Sequence, residues 1–331
     1  MTAITTVVIG IGSAIVDIIG RCDDAFLTRH NCPKGNMQLV DPATIKTLYD
    51  SMGPAVEISG GSVANTCAGI ASFGGTAGFI GKVADDEFGR IFSHDIRAAR
   101  VTFDSPAVQG GAPTSRSLIL VTPDGERTMN TFLGISTDLG PREIDAGKIS
   151  AAKILYLEGY LFDRPDGMAA FREAARIAAK AGRQVALSLS DAFCVDRHRQ
   201  AFRDFVKTGV DILFANEQEI KSLYETSSFD DAAKMAAADT QLAALTRSSA
   251  GSVIVSGRET ISIPVHPVAK VVDTTGAGDL YAAGFLYGIA HGKDLATAGR
   301  LGSLAAAEII GHIGARPEQS LATLAQTEKL L

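Results

Sequence analysis

Apolar and polar positions along the chain fall into two alternating textures. Short, nearly continuous apolar runs occur at residues 6–11, 76–80, 154–157, 185–189, 212–214, 242–245 and 253–255. Runs of that length predict strands buried on both faces. Between several of them lie stretches with helical spacing. Residues 62–73 form a small-residue helix closed by Gly74-Gly75, and 86–99 form a second. Residues 165–181 place Met168, Phe171, Ala175 and Ala178 on one face, with Pro165 at the start and Gly182 just past the end. Such β-α alternation predicts an α/β fold, an open and mostly parallel sheet covered by helices on both faces.

Two stretches break the alternation. Residues 22–57 hold turn residues and scattered apolar positions without a long amphipathic period. Residues 114–131 hold two β runs around Pro123-Asp124-Gly125, a hairpin signal. Together, as residues 18–57 and 105–133, they are expected to pair into a small β lid over the sheet edge. The rest reads as a single domain spanning 1–331, although a length of 331 residues also admits two domains.

Composition narrows the function. The 46% of hydrophobic residues supply a large core, and the net charge is 31 − 37 = −6. No basic stripe is available for phosphate backbones, so nucleic acid is not an expected partner. No run of 18 or more apolar residues is present, so neither is a membrane. The apolar N-terminus has no basic leader and is interrupted by Asp17, so it reads as buried strands. Cys22, Cys32, Cys67 and Cys194 match no zinc or disulfide pattern. Reduced thiols and a cytoplasmic location are expected. There is no P-loop, no H-E-x-x-H and no G-x-S-x-G. The turn after the first run, Gly10-Ile11-Gly12-Ser13-Ala14-Ile15, lacks the third glycine of a dinucleotide fingerprint.

Glycine is the unusual component. Residues 60–81 hold seven glycines and 276–292 hold five, so twelve of 34 fall in 39 residues, where an even spread gives about four. Close helix packing accounts for Gly69, Gly284 and Gly288. It does not account for Gly60-Gly61 or for Gly276-Ala277-Gly278, each of which opens a helix. At the second, Val271-Val272 is expected to end a strand and Asp273-Thr274-Thr275 to turn. Converging N–H groups and the helix dipole then form an anion site. Asp279 in the first helical turn suits a general base for a hydroxyl attacking a phosphoryl group. At the first, Asn65 offers a donor and an acceptor, and Asp17 follows the first strand. Together they suit adjacent hydroxyls of a polyol.

These segments resemble the PfkB, or ribokinase-like, carbohydrate and nucleoside kinase family. DTTGAGD (273–279) and GGSVANTCAGIASFGG (60–75) are similar to its two signatures. IGIGSAIVDI (9–18) is similar to its N-terminal strand with the substrate aspartate, NEQE (216–219) to its N-x-x-E motif, and PDGERT (123–128) to its lid. The likeness spans about residues 7–317. The GGS-x-x-N form and YLEGYLF (156–162) resemble the adenosine-kinase-like branch. The family's T-x-G-x-x-G nucleotide loop stands here as Thr246 to Gly251, with Ser248 in place of its middle glycine.

The resemblance implies a ribokinase-like three-layer α/β/α fold and transfer of the ATP γ-phosphoryl to the 5′-hydroxyl of adenosine, a purine-salvage reaction. Asp279 is then the base, and Gly276, Ala277 and Gly278 the anion hole. Asp17, Gly61, Ser62 and Asn65 hold the ribose. Phe162, Met37 and Leu39 face the adenine, and Arg127 neutralises phosphate charge. Asn216, Glu219, Thr246, Gly251 and Gly278 serve the nucleotide, and Glu219 reaches Mg²⁺ through water. Parts of the family are activated by potassium, for which Asp273 and Thr275 are the places here. A free-sugar kinase, an inosine or guanosine kinase and a non-catalytic nucleoside sensor of the same fold remain alternatives. Both a monomer and a homodimer fit the sequence.

Overall fold

The structure, a computed structural model, describes residues 5–331, so the start of the apolar N-terminus, residues 1–4, lies outside the described residues. The first half of the chain holds β1 (Thr6–Ile11), β2 (Ile15–Arg21), α1 (Asp24–Arg29), β3 (Met37–Leu39), α2 (Pro42–Ser51), β4 (Ala55–Gly60), α3 (Ser62–Ser72), β5 (Ala77–Ile80), α4 (Glu87–Ala98), β6 (Val101–Thr102), β7 (Ser115–Val121) and β8 (Arg127–Phe132). Then come α5 (Ala146–Ala151), β9 (Ala152–Glu158), α6 (Pro165–Lys180), β10 (Gln184–Ser188), α7 (Ala192–Gly209), β11 (Ile212–Asn216), α8 (Glu217–Tyr224) and α9 (Phe229–Asp239). The chain closes with β12 (Leu242–Thr246), β13 (Ser252–Ser256), β14 (Glu259–Ile263), α10 (Ala277–Ala290), α11 (Leu295–Ile309) and α12 (Leu321–Thr327).

Nine strands form the main sheet in the order β14-β13-β12-β11-β10-β9-β1-β5-β6. It is parallel from β12 to β6 and antiparallel at the β12-β13-β14 edge. Successive side chains of a strand point to opposite faces, so each apolar run feeds two cores. Ile154 and Tyr156 pack with α3, α10 and α11, whereas Leu155 and Leu157 pack with α6 and α7. This is the three-layer α/β/α arrangement.

The other five strands form a second sheet, β3-β8-β7-β2-β4. Its strands come from the two stretches that broke the alternation. The expected limits shift, because β2 pairs with β7 over its whole length, from Ile15↔Ser115 to Arg21↔Val121, and β4 runs on to Gly60. The Pro123-Asp124-Gly125 hairpin lies between β7 and β8, with Gly125 at φ +85°.

Two local expectations are corrected. Residues 22–57 hold two helices. The start of α2 was legible, since the Asp41 carboxylate caps Ala43 N and Thr44 N at 2.9 and 2.8 Å and Pro42 fills the first position. Its buried side is only Ile45 and Leu48, too short a stripe to read as a period. Val271 and Val272 form no strand; they are 53% and 39% exposed, and Val272 N donates to Ile310 O at the end of α11. The sheet instead ends at β14, an edge strand whose polar outer face hid it. All four cysteines are free, and among the described residues no helix is long and apolar enough to cross a membrane.

Candidate active site

The carboxyl ends of the parallel strands, where α/β sheets bind ligands, meet the second sheet along its Asp17-bearing face. Four glycines make this junction. A Cβ on Gly10 would lie 2.3 Å from Val63 Cγ1, and one on Gly12 would lie 2.6 Å from Glu158 Oε2. A Cβ on Gly60 would lie 2.3 Å from Asp17 Oδ2. Gly61, at φ +98°, has Ser13 O only 2.2 Å from its Cβ position. A larger residue would have to displace the Val63 and Cys67 side chains at Gly10, a carboxylate at Gly12 and Gly60, and the backbone at Gly61.

Glu158 closes β9 and is fully buried. Its Oε1 accepts from Ser13 N at 2.8 Å and its Oε2 from Val63 N at 3.3 Å. It therefore ties the turn after β1 to the first turn of α3. Burial pushes its carboxyl up to about 7, and the charge of Asp279 adds to that rise. Glu158 has no role among those expected from the sequence. The available signal was a carboxylate ending the apolar run ILYLE at a strand's carboxyl end.

Asp17 is 9% exposed and receives no hydrogen bond from the described residues. Burial raises its carboxyl to about 6, against the opposing charges of Arg316 and Arg127, while Asp279 raises it further. Such a carboxylate is ready to accept hydrogen bonds from a bound hydroxylated ligand.

Asp279 is held by α3. Ser62 Oγ donates to its Oδ1 at 2.6 Å, Asn65 Nδ2 donates to its Oδ2 at 2.9 Å, and Thr66 Oγ1 donates to its backbone carbonyl at 3.0 Å. Burial raises its carboxyl; the Ser62 and Asn65 hydrogen bonds and the Arg316 charge oppose the rise. Asn65, expected to hold ribose, thus spends its amide N–H on Asp279, and its buried Oδ1 has no partner. Gly276 caps α10 at φ +78°, and a Cβ on Gly278 would meet nothing within 4 Å. No acceptor among the described residues takes the Gly278 and Asp279 amides, so this helix start is open to an anion.

Arg127, from β8, reaches this turn. Its Nη1 donates to Thr275 Oγ1 at 2.7 Å and pairs with Asp273. Its buried Nε and Nη2 have no partner, which leaves donors for a ligand oxygen. Asp273 also accepts from Thr275 N at 2.9 Å and Gly314 N at 3.0 Å. The Asp273 and Thr275 side chains, the places expected for potassium, both contact the Arg127 guanidinium.

The nucleotide-side residues gather at the ends of β11 and β12. Asn216 and Glu219 form a reciprocal helix cap, with Asn216 N and Nδ2 donating to Glu219 at 2.9 and 2.6 Å and Glu219 N donating to Asn216 Oδ1 at 2.9 Å. Glu219 is raised to about 7, chiefly by burial and also by the charges of Asp191 and Asp279. A divalent cation accompanying phosphates would relieve that like-charge repulsion, so this donor set fits Mg²⁺ held partly through water. Thr246 ends β12, and Gly251 sits at φ +82° with Ile263 O 2.1 Å from its Cβ position. Ser248, which stands where the family's loop has a glycine, takes a left-handed φ of +49°.

The aromatic expectation is corrected. Phe162 is 3% exposed and stacks on Phe202 with centroids 3.9 Å apart, beside Phe171 and Phe205. It belongs to the core under α6 and α7. Tyr160, two residues earlier, is 41% exposed, its hydroxyl donating to Ser190 O at 3.3 Å. Burial at its phenol and the charges of Asp279, Asp191, Glu158 and Glu219 raise its pKa. Phe193, at the start of α7, is 72% exposed. Met37 and Leu39 are exposed and lie on the Asp17 face of the second sheet. Register places Leu39, Thr131, Ser117, Asp17 and Ile58 in one row, and Met37, Met129, Ile119, Ile19 and Val56 in the next. A cavity of about 360 Å³ lies against Leu39, Val40, Thr131, Leu133 and Thr137.

The arrangement joins a carboxylate free to bind hydroxyls, a second carboxylate suited to take a proton, and an open helix start beside unpartnered arginine donors. It can hold an alcohol against a transferable anion. Residues 52–321 match the pfkB family carbohydrate kinase model. The solved adenosine kinase from Sinorhizobium meliloti is 52% identical, with a TM-score of 0.91 over 98% of this chain and 99% of that one. A probable sugar kinase from Rhizobium etli is 48% identical, with a TM-score of 0.92 over the whole of both chains. An ATP-dependent ribose-1-phosphate kinase from Halopiger xanaduensis is 33% identical over 69% of this chain and 72% of its own. Match, fold and site agree that the chain belongs to the PfkB family of kinases and is an ATP-dependent phosphotransferase.

Proposed function

We propose that the acceptor is adenosine and that the 5′-hydroxyl is phosphorylated to give AMP and ADP. The observation that carries this reading is the exposed apolar surface on the face of the second sheet that bears the free Asp17 carboxylate. Tyr160 and Phe193 lie at the strand ends, and Met37 and Leu39 lie on the second sheet. A ribose gripped by Asp17 leaves its base to these surfaces, whereas a free sugar has no group to cover them. The 52% identity to the Sinorhizobium enzyme supports the same reading.

In this reading Asp17 accepts from the ribose hydroxyls, Asn65 Oδ1 faces the substrate, and Asp279 takes the 5′-hydroxyl proton. The Gly276–Gly278 turn and Arg127 bind the phosphoryl oxygens. ATP lies toward Asn216, Thr246 and Gly251, and the second sheet covers the acceptor as a lid. Mg²⁺ supplies charge neutralisation of the phosphates, with Glu219 reaching it through water.

A sugar acceptor is the second reading, favoured by the likeness to the Rhizobium protein. An acceptor panel coupled to ADP release separates the two. Turnover of adenosine well above ribose, fructose and ribose 1-phosphate is expected. Phosphorylation of a free sugar with none of adenosine would overturn the adenosine reading.

A further inference from the structure

Arg316 lies in the segment between α11 and α12, outside every motif described above. Its guanidinium is spent on the junction of β4 and α3. Nε donates to Ser59 O at 2.9 Å, Nη1 to Ala64 O at 2.6 Å, and Nη2 to Ser59 Oγ at 2.9 Å. Asp95 of α4 completes the cluster, accepting from Ser59 N at 2.7 Å and Ser59 Oγ at 2.6 Å. Ser59 immediately precedes Gly60-Gly61, and Ala64 immediately precedes Asn65. The two anchor points thus bracket the turn that makes room for Asp17 and aims Ser62 and Asn65 at Asp279. A planar fork with several donors can grip both points at once; a point charge cannot.

We propose that Arg316 is a positioning residue for the acceptor half of the site, locking the Gly60–Asn65 turn and laying positive charge behind Asp17 and Asp279. The inference rests on the roles given to those two carboxylates above. Asp17 is faced by Arg316, by Arg127 from β8 and by Asp279 from α10. Asp279 is faced by Arg316, by Ser62 and Asn65 from α3, by Tyr156 and Glu158 from β9, by Tyr160 and by Glu219 from α8. Arg316 opposes the effect of burial on both carboxylates, and Asp95, Asp17 and Asp279 in turn favour its charge. The same guanidinium lines a surface groove of about 520 Å³ with Ile58, Asp95 and Arg100.

The test compares Arg316→Gln, Arg316→Lys and the wild type, using the acceptor that the panel identifies. Arg316→Gln should raise the acceptor KM about tenfold or more and leave the ATP KM within about twofold. Its acid limb of kcat/KM should move to higher pH, since removing a nearby cation favours the protonated acid. Arg316→Lys should restore the acid limb but not the KM. Amide hydrogen exchange over residues 60–66, measured on the ligand-free protein, should quicken in both variants. A folded Arg316→Gln protein with wild-type KM, pH profile and exchange would overturn the proposal. If that variant does not fold, Arg316→Lys decides, and unchanged KM and exchange would overturn it equally. If the wild type phosphorylates nothing in the panel, the substrate reading fails while the exchange comparison still judges the clamp.

Discussion

The starts of α3 and α10 look alike in sequence and are used in opposite ways. Both are opened by glycine in a positive-φ conformation, Gly61 at +98° and Gly276 at +78°. Both point at the same small volume, with Ser62 and Asn65 of one helix gripping Asp279 of the other. At α3 the protein supplies its own anion: the Glu158 carboxylate sits on the amides of Ser13 and Val63. At α10 the Gly278 and Asp279 amides are left open, with unpartnered Arg127 donors beside them. The same dipole end is a structural joint in one case and a pair of uncommitted amides in the other. A glycine-rich helix start therefore marks a place where backbone amides converge, and its neighbours decide what they hold.

The largest expected effect tests the catalytic side. Asp279→Asn should bind acceptor within a few-fold of wild type yet lose at least about 10²-fold in kcat, the low end for removing a general base. Near-normal turnover in steady-state assays would remove α10 from the chemistry.

Paired glycine substitutions then break or sharpen the contrast directly. Gly61→Ala puts a side chain at φ +98° and 2.2 Å from a carbonyl oxygen. It should cost at least about 1–3 kcal/mol, a fall in melting temperature of roughly 1.5–4 °C or more for a chain of this length. Gly278→Ala meets no protein atom within 4 Å, so its melting temperature should stay within about 1–2 °C. Its methyl group would crowd the anion, and kcat/KM should fall at least roughly tenfold. Calorimetry and kinetics showing the reverse pattern would mean that the open helix start is α3.

The smallest effect concerns pH. Asp17 at about 6 and Glu158 and Glu219 at about 7 lie above their ordinary values of 3.8 and 4.5. Between about pH 4 and 7 the folded protein therefore holds more protons than the unfolded chain, and stability falls as pH rises through that window. The ligand-free protein should melt a few degrees lower at pH 8 than at pH 5.5. Glu158→Gln, which cannot ionise, should shrink that difference. A melting temperature that is flat or rising over this range in both proteins would show that these carboxyls are not carried protonated.

Much of this was legible along the chain. The apolar runs at residues 6–11, 154–157 and 242–245 are strands, and Asp86 and Pro165 mark helix starts where sequence placed them. Motif residues far apart in sequence, Asp17, Ser62, Asn65, Arg127 and Asp279, do meet. What escaped has a common cause. Phe162 and Tyr160 belong to one 3₁₀ turn, Gly159–Asp163, where no simple period tells which ring faces inward. Glu158 and Arg316 drew no role from the sequence, because their value lies in backbone atoms contributed by other segments.

The sequence by itself determined the layered α/β architecture, since hydrophobic periodicity is local and each run must bury its own faces. It also determined the two glycine turns, since only glycine takes those backbone angles and approaches. The tertiary structure alone decided which turn is filled by Glu158, which stays open, and which carboxylate is left without a partner at Asp17. Those outcomes depend on atoms brought together across 95 to 217 residues of chain, and on how far each charge is removed from water. Neither quantity is written in the spacing of residues along the chain.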